Sequence, residues 1–440
     1  MSVSALPIAA PAQTDLVRLQ QSALRKNAWR MLPILTLAFV FNYIDRTSVG
    51  FAGLTMNKDL GLTATAFGWG AGILFIGYCV FEIPSNLALH RFGARRWLAR
   101  IMVTWGLASA ATAFVVGPYS FYAARFLLGV AEAGFFPGAA YLLAAWFPAQ
   151  YRTRALAILS VAVPLSSVIG GPFSVLLLQM NGLLGLKGWQ WMFLVQGLPA
   201  CMIGVLALVM LRDHPRDAHW LSPAERDALI AMLSAERRDR PAGSLRAAIT
   251  DPRVLMLAAI QFGFVVCSYG VGIWLPLILQ GQGQGNLAIG FTAAIPYICA
   301  TIAMLLWAGY VDRGGSKIGN LAATCFLTAG GLTASVLAAS VLPGSFVPSL
   351  TGLTLALMGA TAARAIFWAI PTRFLTGVAA AGGLAFINSI GAIGGFAGPF
   401  AMGWLKDLTG SFSTGLMGLA CLGLLSGVLT LMLRMIVREE

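Results

Sequence analysis

Charged residues are scarce in this chain. Only 10% of its 440 residues are charged, while 58% are hydrophobic, whereas soluble domains carry about 25% charged residues. This composition excludes a soluble globular protein and favours a protein that crosses the membrane many times. The apolar runs have the length of about 20 residues that a membrane helix needs, so they predict helices rather than the short alternating strands of a β-barrel.

Histidine is also rare, and cysteine lacks any pairing pattern. The three histidines, His90, His214 and His219, lie in connections between apolar runs, and the six cysteines form no C-x-x-C pair. We therefore expect unpaired buried thiols, with neither disulfides nor a metal site. No H-E-x-x-H or G-x-S-x-G pattern with partners is present, which argues against an intramembrane enzyme. The sequence also shows no appended signalling domain, which argues against a receptor.

Twelve apolar runs are predicted to span the membrane, with both termini on one side. They are residues 30–53, 66–88, 97–116, 119–142, 155–178, 189–211, 254–279, 287–310, 318–341, 346–369, 380–403 and 413–435. Most lysines and arginines lie in the N-terminal segment and in alternate connections, while the opposite connections hold only Lys58, Lys187 and Lys406. By the positive-inside rule, both termini are expected in the cytosol and the chain in the cell (inner) membrane. The same distribution explains the net charge of +13 without a nucleic-acid partner.

The chain divides into two similar halves. The expected parts are a cytosolic tail (1–29), a six-helix half (30–211), a cytosolic linker (212–253), a second six-helix half (254–435) and a short cytosolic tail (436–440). A capping box from Ser222 to Glu225 predicts a short amphipathic helix in the linker. Related residues of the two halves are separated by a nearly constant number of positions, and Tyr43 and Tyr269 are one such pair. The prediction is an all-α membrane protein, monomeric, with a central site between two six-helix halves.

Six ionisable residues lie inside the predicted spans. They are Asp45, Arg46, Glu82, Arg125, Glu132 and Arg364. Each costs about 2.5–3.5 kcal/mol at the centre of a membrane helix, so they must be paired, hydrated or protonated. Similar depths predict a pair between Asp45 and Arg125, and Glu132 lies two turns from Arg125 on the same helix face. Arg46 points about 100° away from Asp45 and is free to face another neighbour. A static network that locks the helices together is the alternative to a functional one.

Several motifs resemble those of the major facilitator superfamily over nearly the whole chain. They are NYIDR (42–46), FEIPSN (81–86), HRFGARR (90–96), RFLLGVAEAGFFPG (125–138), WLSP (220–223), NSIG (388–391) and GWLKD (403–407). Within the superfamily, the chain is similar to the anion:cation symporter branch, which includes sugar-acid, tartrate and phthalate permeases and sialin-type carriers. This resemblance implies that Asp45 and Glu132 are proton sites and that Arg46 binds the anion. His90 departs from the loop motif, which often has an acid at this place.

The predicted function is secondary active uptake of a small organic anion with protons, by alternating access. The substrate would be a carboxylate, either a dicarboxylate such as tartrate or phthalate or a sugar acid, and no cofactor is needed besides the proton. Exchange or efflux by the same fold is the alternative. When Asp45 and Glu132 bind protons, Arg46 or Arg125 is released to bind the substrate.

Further candidate residues fall into two groups. The candidate substrate ligands besides Arg46 and Arg125 are Tyr43, Tyr78, Tyr269, Trp274, Asn388 and Arg364. Arg364 is either a second cation that suits a dicarboxylate or a side chain that snorkels to the membrane surface. The candidate gating residues are Glu82, Arg91, Arg95, Arg96, Asp312 and Arg313.

Overall fold

Long helices follow one another along the chain, as the apolar runs predict. The computed structural model describes residues 13–236, 250–342, 346–373, 375 and 377–437, and no β-strand occurs within them. The first half contains α1 (Gln13–Leu60), α2 (Ala64–Phe92), α3 (Ala94–Ala111), α4 (Pro118–Glu132), α5 (Phe135–Trp146), α6 (Ala149–Ser160), α7 (Ala162–Leu178) and α8 (Gly188–Met210). After the linker helix α9 (Pro223–Glu236), the second half contains α10 (Pro252–Gly281), α11 (Asn286–Asp312), α12 (Lys317–Val341), α13 (Phe346–Phe367), α14 (Gly377–Thr409) and α15 (Phe412–Ile436).

Within the described part of the chain, the helices form twelve spans in two sets of six, which confirms the predicted fold class. The helices α4 and α5 together make one span, and α6 and α7 make another. Ten of the spans are long and apolar enough by composition to cross a membrane. The other two are α1, which carries Asp45 and Arg46, and α3, which begins with a cluster of arginines. These two exceptions have lower hydropathy because they carry the charges discussed below.

The first helix is much longer than a membrane span. It has 48 residues, roughly 72 Å at 1.5 Å per residue, whereas the hydrocarbon core is about 30 Å thick. Residues 13–29, which the sequence places in a tail, therefore continue the helix beyond the bundle. We call the end of the bundle at which the first helix begins and the last helix ends the terminal face, and the other end the opposite face.

The extended part of α1 docks on the linker at the terminal face. The Lys26 ammonium donates to both carboxylate oxygens of Glu225 (2.7 and 2.8 Å), and the Ser22 hydroxyl donates to the same carboxylate (2.6 Å). Trp220 donates its indole N–H to Asn27 (2.8 Å). Glu225 also forms the predicted capping box, because Ser222 and Glu225 exchange side-chain-to-backbone hydrogen bonds. One carboxylate thus holds both the start of α9 and the extension of α1.

Among the described residues, the two halves share a buried apolar cluster toward the opposite face. There, Phe67 and Val175 of the first half belong to the same buried cluster as Ile273 and Trp274 of the second. Toward the terminal face each half has its own buried cluster. Tyr269 packs against all three clusters, so it marks the level at which the halves begin to separate.

Glycines allow the halves to approach closely along α2 and α14. A Cβ at Gly68 would lie 2.4 Å from the carbonyl oxygen of Pro399, and one at Gly72 would lie 2.8 Å from that of Phe396. At the end of this contact, the Asp407 carboxylate accepts hydrogen bonds from the backbone N–H groups of Ala64 (3.1 Å) and Thr65 (2.7 Å). These are N–H groups that the first turn of a helix leaves without an internal partner, and a carboxylate is favourable there. The opposite face is closed by backbone contact and by this cap.

Replacing Gly68 by valine should prevent closure of the opposite face, because the side chain has no space against the backbone of α14. We expect a longer distance between spin labels placed at Lys58 and Leu408, measured by pulsed electron resonance in a variant whose exposed Cys421 is serine. The control is Gly330→Val, since a Cβ at Gly330 meets no atom within 4 Å. Equal distances in the two variants would contradict the packing described here.

The substitution Glu225→Gln should weaken the docking of the α1 extension. We expect faster amide hydrogen exchange for residues 18–28 at neutral pH, by about fivefold, since the pair is partly solvent-exposed and contributes about 1 kcal/mol. The matched control is Asp15→Asn, which removes an exposed contact of 3.9 Å with Arg18. It should leave the exchange unchanged, and a similar acceleration in both variants would refute a specific role for Glu225.

The docking should also resist mild acid. Burial alone would raise the pKa of Glu225, but the hydrogen bonds from Lys26, Ser22 and Ser222 outweigh it and lower the pKa from 4.5 to about 2. A lowered pKa gives stability that is complete above the unfolded value and is lost as the pH falls through the folded value. The exchange difference between wild type and Glu225→Gln should therefore persist from neutral pH to about pH 4.5 and shrink toward pH 2. A difference that already vanishes at pH 5 would contradict this pKa.

Candidate functional site

Four of the six intramembrane ionisable side chains lie together within the first half. Asp45 and Arg46 come from the middle of α1, and Arg125 and Glu132 come from α4. Asp45, Arg125 and Glu132 are each at most 1% exposed. The structure thus assembles these residues into one buried cluster, as the sequence predicts.

The central contact of the cluster is an ion pair between Arg46 and Glu132. The Arg46 Nε atom donates to Glu132 Oε2 at 2.8 Å. The guanidinium also lies over the ring of Tyr78 on α2, with 4.7 Å between the guanidinium carbon and the ring centroid. Arg46 is therefore already held by an acid and an aromatic ring in this conformation.

The predicted pair between Asp45 and Arg125 does not form. The Asp45 carboxylate accepts a hydrogen bond from Ser109 of α3 (Oγ–Oδ1 2.5 Å), and Arg125 instead donates to the backbone carbonyl of Asp45 (3.4 Å). The depths of the two residues match, but the Asp45 side chain turns toward α3, where a hydroxyl donor is available. A single serine in an apolar helix gives no sequence signal, so Ser109 was not among the predicted residues.

Several buried polar atoms of the cluster have no partner among the described residues. They are Oδ2 of Asp45, Oε1 of Glu132, and Nε and Nη2 of Arg125. A buried polar atom without a hydrogen bond costs about 1–3 kcal/mol, and more when the group is charged. The free carboxylate oxygens can take up protons, and the free guanidinium nitrogens can bind an anion.

The helix that carries Arg125 and Glu132 breaks immediately after Glu132. Gly134 takes a left-handed conformation (φ +85°), and a Cβ there would lie 2.4 Å from Ser85 Oγ. The Ser85 hydroxyl donates to the carbonyl of Ala133 (2.6 Å), which satisfies backbone that the break leaves open. The indole N–H of Trp97 donates to the same hydroxyl (3.0 Å). Interrupted helices at membrane depth are typical of transporter binding sites.

A second polar cluster crosses the interface between the halves. Arg364 of α13 donates to the Tyr43 hydroxyl of α1 (2.6 Å), and the hydroxyls of Tyr43 and Tyr269 are 3.1 Å apart. Arg364 also reaches Ser268 (3.5 Å) and lies 5.7 Å from the ring centroid of Tyr269. Arg364 therefore faces the other half, which excludes the alternative that it snorkels to the membrane surface. Tyr43 and Arg46 lie three residues apart on α1, so the two polar clusters adjoin one face of that helix.

The remaining candidate ligands lie at different levels. Trp274 is 1% exposed, and its indole N–H donates to the Pro399 carbonyl (2.9 Å) in the closed region near the opposite face. Asn388 is half-buried on α14, and its neighbour Ser389 accepts a long contact from Cys79 of α2 (4.0 Å). The structure thus places Trp274 in the packing between the halves.

The candidate gating residues lie toward the terminal face. Glu82 is half-buried one turn beyond Tyr78. The Arg95 side chain donates to the carbonyl of Leu208 (2.7 Å), and its backbone N–H donates to the Asp213 carboxylate (2.8 Å). The other four, Arg91, Arg96, Asp312 and Arg313, are exposed. The described contacts of Arg95 stay within the first half and the start of the linker, so a gate between the halves at this face stays a prediction.

Comparison with known proteins gives consistent matches. The family model of the Major Facilitator Superfamily matches residues 35–399. A protein of Agrobacterium vitis named "Putative tartrate transporter" is 46% identical over 94% of this chain and 92% of its own length. A "Quinolone resistance transporter" of Acinetobacter baumannii is 40% identical over 84% of this chain and 85% of its own length.

Solved structures share the fold at low sequence identity. The inward-open structure of the xylose transporter XylE from E. coli superposes with a TM-score of 0.74 at 13% identity, over 92% of this chain and 96% of that one. The likeness in fold, the family match and the identities to the relatives all point to one assignment. The chain belongs to the Major Facilitator Superfamily and is a multi-pass membrane transporter, not an enzyme.

Proposed function

We propose that this transporter takes up a small organic anion together with protons, by alternating access. One observation carries the proposal: the Arg46–Glu132 ion pair is buried beside carboxylate oxygens of Asp45 and Glu132 that have no partner among the described residues. A proton on such an oxygen removes the cost of an unpaired buried charge, which is strongly destabilising. A proton-coupled anion site needs carboxylate oxygens that can accept protons, next to a cation that an acid already holds.

The coupling follows from competition for Arg46. While Glu132 is charged, it holds the guanidinium and leaves little attraction for a second anion. A proton on Glu132 removes this competitor, and the planar guanidinium can then bind a substrate carboxylate through two parallel hydrogen bonds. Loss of the proton restores the ion pair and releases the substrate.

Asp45 is the second proton site of the proposal. Its free oxygen Oδ2 can accept a proton while Oδ1 keeps the hydrogen bond from Ser109. Arg125 lies at the backbone of Asp45 with two guanidinium nitrogens that have no described partner. Neutralising Asp45 would remove one of the two carboxylates that attract the Arg125 guanidinium, which raises the attraction for an anion in the same space.

The names of the relatives support a carboxylate as the substrate and leave the direction of transport open. The relative from Agrobacterium vitis is named for tartrate, a dicarboxylate. The relative from Acinetobacter baumannii is named for quinolone resistance, and this name favours efflux as a second candidate function. The excess of lysine and arginine in the segments at the terminal face supports a cytosolic position for that face and for both termini, in the cell (inner) membrane.

The substitutions Asp45→Asn and Glu132→Gln should abolish uptake driven by a pH gradient. We expect uptake of L-tartrate into proteoliposomes with an acidic outside to fall at least about tenfold, since each change removes a proton acceptor. Exchange of internal for external tartrate should persist, because the amide forms mimic the protonated acids. The measurement compares radiolabelled uptake under a gradient with exchange at equal pH.

The control is Asp59→Asn, whose acid pairs with Lys187 (2.9 Å) near the opposite face and lies outside the cluster. It should retain gradient-driven uptake within about threefold. If Glu132→Gln still follows the pH gradient, the proposed coupling is wrong. If the wild type exchanges tartrate but ignores the gradient, exchange or efflux replaces symport.

A further inference from the structure

We propose that Arg364 forms a second anion subsite, in the other half of the carrier, that binds the second carboxylate of a dicarboxylate substrate. This subsite rests on the proposed function, in which Arg46 binds the first carboxylate. It assigns one cation from each half to one substrate molecule.

The distribution of acids over the sequence leaves Arg364 without a counter-ion in its own half. Between residues 254 and 435 the only acids are Asp312 and Asp407. Asp312 is exposed at the end of α11, and Asp407 is bonded to the start of α2 at the opposite face. Neither can neutralise a guanidinium at the level of Tyr43.

The first half does not supply the missing charge in this conformation. Its two fully buried acids are Glu132, which is paired with Arg46, and Asp45, which is bonded to Ser109. The described hydrogen bonds of Arg364 go to hydroxyl groups, those of Tyr43, Ser268 and Tyr269. A guanidinium held only by neutral groups inside the protein is poorly compensated. The site therefore favours an anion from outside the protein.

The position of Arg364 allows one ligand to reach both cations. Arg364 contacts Tyr43, and Tyr43 lies one turn from Arg46 on the same face of α1. The Arg364 guanidinium thus reaches, from the other half, the face of α1 that carries Arg46. A dicarboxylate can engage both groups, whereas a monocarboxylate leaves one of them without an anion.

The Tyr43 hydroxyl lies at the position that the second carboxylate would take. It accepts a single hydrogen bond from Arg364 at 2.6 Å. A carboxylate can form two parallel hydrogen bonds with a guanidinium and adds the attraction of opposite charges, so it can displace the hydroxyl. Substrate binding then replaces a direct bond between the halves by a bridge through the substrate.

The test compares dicarboxylates with their half-amides, which keep the shape and lose one charge. The probes are L-tartrate, succinate and phthalate, each with its half-amide, and the dissociation constants are measured by calorimetry on the purified carrier. For wild type, at least one diacid should bind about tenfold or more tightly than its half-amide. The substitution Arg364→Gln should weaken that diacid at least about tenfold and the half-amide less than about threefold, so that the preference disappears.

Ser268→Ala is the control, because it removes a hydrogen-bond partner of Arg364 but keeps the cation. It should retain the preference for the diacid. Equal losses for diacid and half-amide in Arg364→Gln would show a merely structural role and overturn the subsite. A wild-type carrier that binds each diacid no more tightly than its half-amide would overturn the subsite too. This includes the case in which chloride fills the site and the binding of both ligands depends on chloride.

Failure of the subsite can be told apart from failure of the proposed function. The substitution Arg46→Gln should weaken diacid and half-amide alike, because both need the first carboxylate site. If the ligands bind and depend on Arg46 but not on Arg364, only the subsite is wrong. If no carboxylate in the panel binds, or none depends on Arg46, the proposed function fails and the subsite fails with it.

Discussion

The ion pair between Arg46 and Glu132 is the interaction on which the organisation of the first half depends. Near this pair, α4 lies directly against α2 at Gly129, where an added Cβ would clash with the Leu74 carbonyl oxygen. Glu132 lies at the end of the straight part of α4, and the chain turns at Gly134 directly afterwards. These backbone features bring Glu132 to Arg46 on α1 without exposing either charge to lipid. The helix break and the small residues therefore serve the charge pair rather than packing alone.

The two halves contribute unlike chemistry to the centre of the molecule. The first half holds both fully buried acids of the cluster together with Arg46 and Arg125, whereas the second half offers Arg364 and hydroxyl groups. Proton uptake can therefore occur in the first half, while the polar contact between the halves at the level of Tyr43 is made by Arg364 and hydroxyl groups. Tyr269 stands at the meeting point, where the shared apolar core ends and the two separate cores begin. A ligand at this level touches the boundary that must rearrange during alternating access.

Much of this arrangement could be predicted from the sequence because membrane insertion leaves strong signals. The length of the apolar runs predicts the membrane spans. Charged residues inside such spans are rare, so Asp45, Arg46, Arg125 and Glu132 could be singled out as candidate site residues. The partners could not be predicted, since depth along a helix does not fix the direction of a side chain. Asp45 turned to Ser109 rather than to Arg125, and Arg46 rather than Arg125 became the partner of Glu132. The contact of Arg364 with Tyr43 likewise depends on how the halves pack, which no local pattern records.

The central claim is that substrate binding and protonation of Glu132 are linked through Arg46. The most direct measurement is the proton uptake that accompanies binding of L-tartrate to the purified carrier in weakly buffered solution. The account predicts that binding takes protons from the medium and that Glu132→Gln takes up about one proton fewer than wild type. Binding without any proton uptake, or uptake that is equal in wild type and Glu132→Gln, would contradict it.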